Sequence, residues 1–382
     1  MPTPLSPALV LALLALVGTA QREPGTGGYY RLKLVRVMDQ QGFGQPVEAF
    51  RLLLPADWKV NSWVRWVPNY SCPANILDVG LQSASPDGLT GFEIFTPYSW
   101  QWYDDPAMVQ MLQQSGTQGC PVSRPTDAAT FLRGALVPNR RQGARIMAAE
   151  PLASVAQAED AKLRAVLGPS LQAGLIKGVK VDGARVRLAY EVNGRPVEEW
   201  VGATVTVIAS AGFSATAAMQ GSMAQSNTYL VSASNIAATR APKGQLQAKE
   251  KLFATIVGSI RPNQAWVNAV IQTQMAMGNA AIKGAADRSR IWSQASQDIS
   301  NTYSQSYREQ QAVQDRLAEQ YSQSVRGVET YVDPASHERV ELSGGYQQAW
   351  SNGRGEYILS DDANFNPAVT LRENWTQLQK TR

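Results

Sequence analysis

From residue 29 onward, apolar and polar positions alternate with two different periods, and these divide the chain. "YYRLKLVRVMD", "EAFRLLLPADWKV", "SWVRWVP", "ILDVGLQSA" and "GFEIFTPYSWQWY" are rich in β-branched and aromatic residues and are broken by Gly, Pro and Asp. That combination predicts strands joined by turns. "DDPAMVQMLQQSG" shifts to a short helix, with Asp104 or Asp105 as its cap and Pro106 in its first turn. Thr126 or Asp127 starts a second helix in "PTDAATFLRGAL", and "LASVAQAEDAKLRAVLG" predicts a third. The sharpest local signal is Asn193-Gly194, between "ARVRLAYEV" and "RPVEEWVGATVTVIAS". A type I′ turn needs positive φ at both central residues, so this dipeptide predicts a hairpin. "TYLVSASNIAAT" adds a strand, after which Leu246, Ala248, Leu252, Ile256 and Ile260 trace one face of a helix. Helices interleaved with an antiparallel sheet predict an α+β domain over residues 25–262.

Residues 263–326 contain no proline and are crowded with Gln, Ala and Ser. Apolar residues recur at Val267, Ile271, Met275, Ile282, Ala285, Trp292, Ile299, Tyr303, Leu317 and Tyr321, which describes one thin helical stripe. A helix of about 60 residues would extend roughly 90 Å, with Gly278 and Gly284 as places to break. So thin a stripe does not hold a helix alone in water, which predicts packing along the domain or pairing with another chain, including a second copy. Residues 327–382 return to short strands with frequent turns, a small β-rich C-terminal module.

The termini and the composition set the compartment. "ALVLALLALV", Ala8–Val17, is too short to span a bilayer and is followed by Gly18 and Ala20, small residues that suit signal peptidase. The pattern predicts an export signal over residues 1–20 and a secreted or periplasmic protein. No Lys or Arg precedes the apolar run, so a retained anchor stays open. Export gives Cys72 and Cys120 a meaning: an even count in an oxidising compartment predicts one disulfide, against the alternative of two buried thiols. With 17% charged and 44% hydrophobic residues the chain reads as globular, and a net charge of +4 is too diffuse to point to nucleic acid.

Two stretches carry family resemblances. "FRLLLPADW" (Phe50 to Trp58) and "IVGSIRPNQAW" (Ile256 to Trp266) resemble the early strand and the late helix end of the Mog1/PsbP-like family, over about residues 25–266. Residues 121–177 exceed a minimal domain of that kind and read as an insertion. The family resemblance implies an α+β fold that serves mainly as an interaction module. The C-terminal stretch resembles a module of uncharacterised secreted bacterial proteins, through Tyr346, Trp350, Asn352, Gly355, Glu356, Tyr357, Ser360, Phe365, Pro367 and Trp375. That second resemblance implies no activity. Trp350, Tyr357 and Trp375 are expected to form the module's small core.

Specific chemistry is sparse. His337 is the sole histidine and lies in a polar turn, so Ser-His-Asp, Cys-His and zinc chemistries have little to draw on. No nucleotide-binding or nucleophile-elbow motif occurs, and no cofactor is implied. Asp362, Asn364, Asn366 and Glu373 occupy positions 1, 3, 5 and 12 of a calcium-loop template, with Pro367 where a glycine turn belongs; the competing reading is side-chain capping of a turn. Trp100, Trp102 and Tyr103 form a candidate ligand-binding cluster. Glu93 with Asp104 or Asp105 beside them would make a glycosidase-like carboxylate pair. Arg140, Arg141 and Arg145 form a basic patch, either a solvated loop or a contact for an anionic partner. The expectation is an exported, non-catalytic binding or accessory protein of the cell envelope or exterior, partnered by another protein there. A hydrolase acting on an extracellular polymer is the alternative.

Overall fold

Asn193 and Gly194 take φ values of 52° and 72°, and the strands on either side pair from Val192↔Arg195 outward. The hairpin read from the sequence is therefore present, and it forms the spine of a computed structural model. The structure describes residues 29–67, 72–114, 119–214, 225–281, 328–334, 337 and 339–381. The expected export signal and the predicted helix beyond residue 281 lie outside the described residues.

The chain opens with β1 (Tyr29–Asp39), β2 (Val47–Pro55), β3 (Lys59–Trp66), β4 (Leu77–Ala84), β5 (Gly91–Ile94) and β6 (Tyr98–Tyr103). Next come α1 (Pro106–Gln114) and α2 (Ala128–Phe131), which runs through a π-helical turn (Leu132–Leu136) into α3 (Val137–Arg140). Asp105 and Asp127 start these helices by accepting backbone N–H bonds, as their sequence positions predict. β7 (Arg145–Pro151) and α4 (Ala153–Gln172) precede three long strands, β8 (Ile176–Val192), β9 (Arg195–Phe213) and β10 (Gln225–Pro242). α5 (Glu250–Gly258), β11 (Arg261–Pro262) and α6 (Gln264–Ala281) follow. The C-terminal segment holds β12 (Val328–Val332), β13 (Arg339–Ser343), β14 (Gln348–Ser351), β15 (Glu356–Ser360), α7 (Pro367–Thr370), β16 (Thr376–Gln377) and β17 (Gln379–Lys380).

The larger sheet runs β3-β4-β5-β10-β9-β8-β7, with β6 continuing the β5 edge of β10. A second sheet runs β11-β2-β1-β15-β14-β16, and a third β13-β12-β17. Among the described residues every pair of these strands is antiparallel, so the α+β reading holds. The segment expected as a separate C-terminal module shares a sheet with the N-terminus: β15 pairs with β1 from Tyr29↔Ser360 to Lys33↔Glu356. Its Tyr346, Tyr357 and Leu359 belong to the same buried cluster as Leu32, Phe50 and Phe253. Trp350 is half-buried and hydrogen-bonds Gln348, while Trp375 lies beneath the Arg31 guanidinium at 5.6 Å.

The residues that suggested a family have plain structural duties. Ser259 accepts the Leu53 N–H at 2.8 Å and donates to the Ile256 carbonyl, which fastens α5 to β2. Asn263 caps α6 through Ala265 N–H and also donates to the Glu48 carbonyl. Trp266, fully buried, donates its indole N–H to Asp39 Oδ2 at 2.9 Å, and Trp66 donates to the same oxygen at 2.8 Å. The other oxygen of Asp39 accepts from Gln41 N and Gly42 N. A Cβ at Gly42 would stand 2.4 Å from both Asp39 Oδ2 and Trp66 Nε1, so only glycine fits.

Trp266, Val270, Thr273, Gln274 and Met277 form the buried face of α6, which packs on its own domain. Met275, assigned to the stripe by the sequence, is 42% exposed, because the buried face is rotated toward the residues anchored by Trp266. Cys72 and Cys120 form the disulfide, across a sequence separation of 48. Closing a loop of that length stabilises by about 4 kcal/mol through denatured-state entropy. Replacing both cysteines with alanine is expected to lower the urea-unfolding free energy by about that amount. A loss under about 1 kcal/mol would show that the bridge constrains little.

Candidate functional site

Strand alternation gives the two faces of the large sheet different environments. Phe92, Ile94 and Ala237 face the core shared with the β1–β2 sheet, whereas Phe95, Val201, Ala203 and Val205 lie under α2 and α3. Where that helical cover ends, the second face carries charge. Glu93, Glu199 and Arg240 stand in neighbouring registers (Ala238↔Glu93 and Arg240↔Glu199), and Arg141 reaches over them from the end of α3. With Lys59, Asn61 and Gln82 they line an open groove of about 400 Å³.

Arg141 is the organising group of this groove. Its guanidinium donates to Glu199 at 2.7 and 2.9 Å and to Glu93 at 2.5 Å, and it lies 5.3 Å over the ring of Phe95. Burial works against its charge, but the hydrogen bonding and charge of Glu199, with the charge of Glu93, more than offset this and hold its pKa above the ordinary arginine value. Gln82 donates to the remaining oxygen of Glu93 at 2.9 Å. Arg240 donates to the Gly88 carbonyl at 2.9 Å, and a Cβ on Gly91 would stand 3.1 Å from its guanidinium, so glycine leaves it room. One guanidinium bridges the two carboxylates, so Arg141 fills the space between them where a scissile bond would have to lie.

The sequence-predicted site residues are dispersed. Trp100 is 4% exposed, stacks on Phe131 at 5.8 Å and donates to the Arg124 carbonyl, so it is core and no sugar platform. Trp102 is half-buried beneath the Arg124 guanidinium, and Tyr103 is half-buried with its pKa raised by burial. Asp104 accepts from Asn227 and Tyr229, while Asp105 accepts from Ser214 and holds the start of α1. Asn227, which holds Asp104, and Ala238, opposite Glu93, are separated along β10 by roughly 30 Å. The proposed Glu93–Asp104/Asp105 pair does not form. Of the basic patch, Arg141 is half-buried in the clasp while Arg140 and Arg145 are exposed, which corrects the reading of all three as one loop surface.

The calcium-loop residues are likewise occupied elsewhere. Asp362 accepts the Asn364 N–H, Asn366 caps α7 through Ala368 N–H, and Glu373 hydrogen-bonds Arg31 and the Trp375 indole. Pro367 sits at the first position of α7, where a missing N–H costs nothing. Turn capping therefore accounts for the spacing, and among the described residues no group of three His, Cys, Asp or Glu side chains could hold a metal. His337 is exposed with φ 58°, and its N–H donates to the Asp333 carbonyl. Among the described residues no helix is long and apolar enough to cross a membrane. No family model matches the chain, and no curated protein matches it either.

Glu199 escaped the sequence reading although a signal existed. Val197, Val201, Ala203 and Val205 are inward residues at odd positions of β9, and Glu199 breaks that run. A carboxylate at an inward position is a request for a partner. Arg141→Met is expected to destabilise the protein by about 3–5 kcal/mol, because it strands two partly buried carboxylates. Adding Glu93→Gln and Glu199→Gln should recover most of the loss in chemical denaturation. A triple variant no more stable than Arg141→Met would refute the clasp.

Proposed function

We propose that this chain is an exported, non-catalytic binding or accessory protein of the cell envelope or exterior, and that its ligand lies along the Lys59–Arg240 groove. The observation that carries the reading is the Glu93–Arg141–Glu199 clasp: the two neighbouring carboxylates of the groove neutralise an arginine. The groups left facing outward, Lys59, Asn61 and Gln82, bond a ligand and do no chemistry on it. The Cys72–Cys120 disulfide suits an oxidising compartment, and the Mog1/PsbP-like resemblance supports an interaction role by analogy. Residues beyond α6 would act as a spacer or a self-association element.

Two assays on the full chain test this. Purified protein incubated with extracellular polysaccharides should release no product. Solubilised envelope passed over immobilised protein should leave a component that a Lys59→Glu, Asn61→Ala double variant retains at least tenfold less well. Product release abolished by Glu93→Gln would overturn the reading in favour of a hydrolase, and equal retention by both proteins would remove the groove from it.

A further inference from the structure

On the opposite face of the large sheet, α4 carries a carboxylate where its apolar stripe calls for a hydrophobic residue. Val155, Glu159, Leu163 and Leu167 follow one another at four-residue steps, and Glu159 is only 7% exposed. Gln274 of α6, 3% exposed, approaches the same place. Glu159 Oε2 and Gln274 Oε1 are both fully buried, and neither has a hydrogen-bond partner among the described residues. They line one narrow slot of about 40 Å³ together with Ser99, Thr206, Ser232 and Ser234. Three of these hydroxyls are already engaged: Ser99 donates to Ser232 at 3.1 Å, and Ser234 lies 3.1 Å from the Thr204 hydroxyl. The amide nitrogen of Gln274 donates to the Ala74 carbonyl, which fixes its oxygen toward the slot.

An unpaired buried acceptor is costly, and two converging on one space have a shared complement. That complement is a hydrogen-bond donor or a positive group small enough for the slot, and opposite an ionised carboxylate the positive group is favoured. The lining contains a single titratable side chain, Glu159, and no basic one. Burial pushes its carboxyl up to about 7, with Lys162 on the same helix drawing it down only partly, so the protein supplies too little positive charge for the ionised form. One carboxylate matches a charge of +1. A divalent ion would leave buried excess charge, since Glu159 is the one carboxylate in the lining and no His or Cys accompanies it there.

We propose that this slot binds a small monovalent cation, ammonium or an alkali metal ion, through the Glu159 carboxylate, the Gln274 carbonyl and the serine hydroxyls. The bound ion would join α4 to α6 across β9 and β10. It would thereby fix the helix that leads toward residues 282–327. This inference is independent of the groove and its ligand.

The test is thermal unfolding of the full chain at pH 8 and constant ionic strength. Tetramethylammonium, too large for the slot, serves as the reference against sodium, potassium, ammonium and methylammonium. At least one small cation should raise Tm by about 3 °C or more, saturably, and the ranking identifies the ion. Glu159→Gln and Gln274→Leu should each abolish the rise. Equal Tm in all five salts, or a rise that survives both variants, would overturn the proposal in favour of a slot filled by water alone. If a variant does not fold, calorimetric titration of the wild-type protein with the stabilising ion in tetramethylammonium buffer decides, and absence of a one-site isotherm sinks it.

Discussion

The carboxylate of Asp39 joins three parts of this fold at one point. It sits at the end of β1, fully buried, and accepts from the indoles of Trp66 on β3 and Trp266 on α6 and from two backbone N–H groups of the following turn. A buried carboxylate costs several kcal/mol in desolvation, and only a full set of donors offsets it. The donors come from separate elements, so the offset is complete only when the two large sheets and α6 are in register together. Gly42, Ser259 and Asn263 serve the same junction from its edges, through close approach, strand anchoring and helix capping. The N-terminal strand also receives β15, so the chain's last described segment closes onto its first.

Much of this was legible in the sequence wherever the signal was local. β1, the Asn193-Gly194 hairpin and the capped starts of α1 and α2 follow from composition, turn chemistry and cap residues that act within a few positions. What escaped were the pairings of distant partners. Nothing in "GEYILS" announces that it pairs with "YYRLK" rather than with its own neighbours alone, because strand alternation sets a face and not a partner. The stripe of α6 was placed a fraction of a turn off for a similar reason: Asp39, more than two hundred residues away, selects Trp266 as the anchor.

Candidate chemistry was harder to read, since the informative residues were breaks in a pattern. Glu199 interrupts an inward apolar run on β9 and Glu159 an apolar stripe on α4, and both mark polar sites in the structure. The clusters that attracted notice, Trp100 to Asp105 and Asp362 to Glu373, instead serve packing and capping. Aromatic density and oxygen spacing record what a turn or a core needs as readily as what a ligand needs. A charged residue in an apolar register is the rarer event, and the better guide here.

The claim that Asp39 couples both large sheets and α6 is tested most directly by amide hydrogen exchange on Asp39→Asn. An amide donates toward the two indoles where the carboxylate accepted from them, while the size of the side chain is kept. Protection should fall together in β1, β3 and α6, by about tenfold for each 1.4 kcal/mol lost. Exchange that quickens only in the turn at residues 40–46, with those three elements unchanged, would contradict the account.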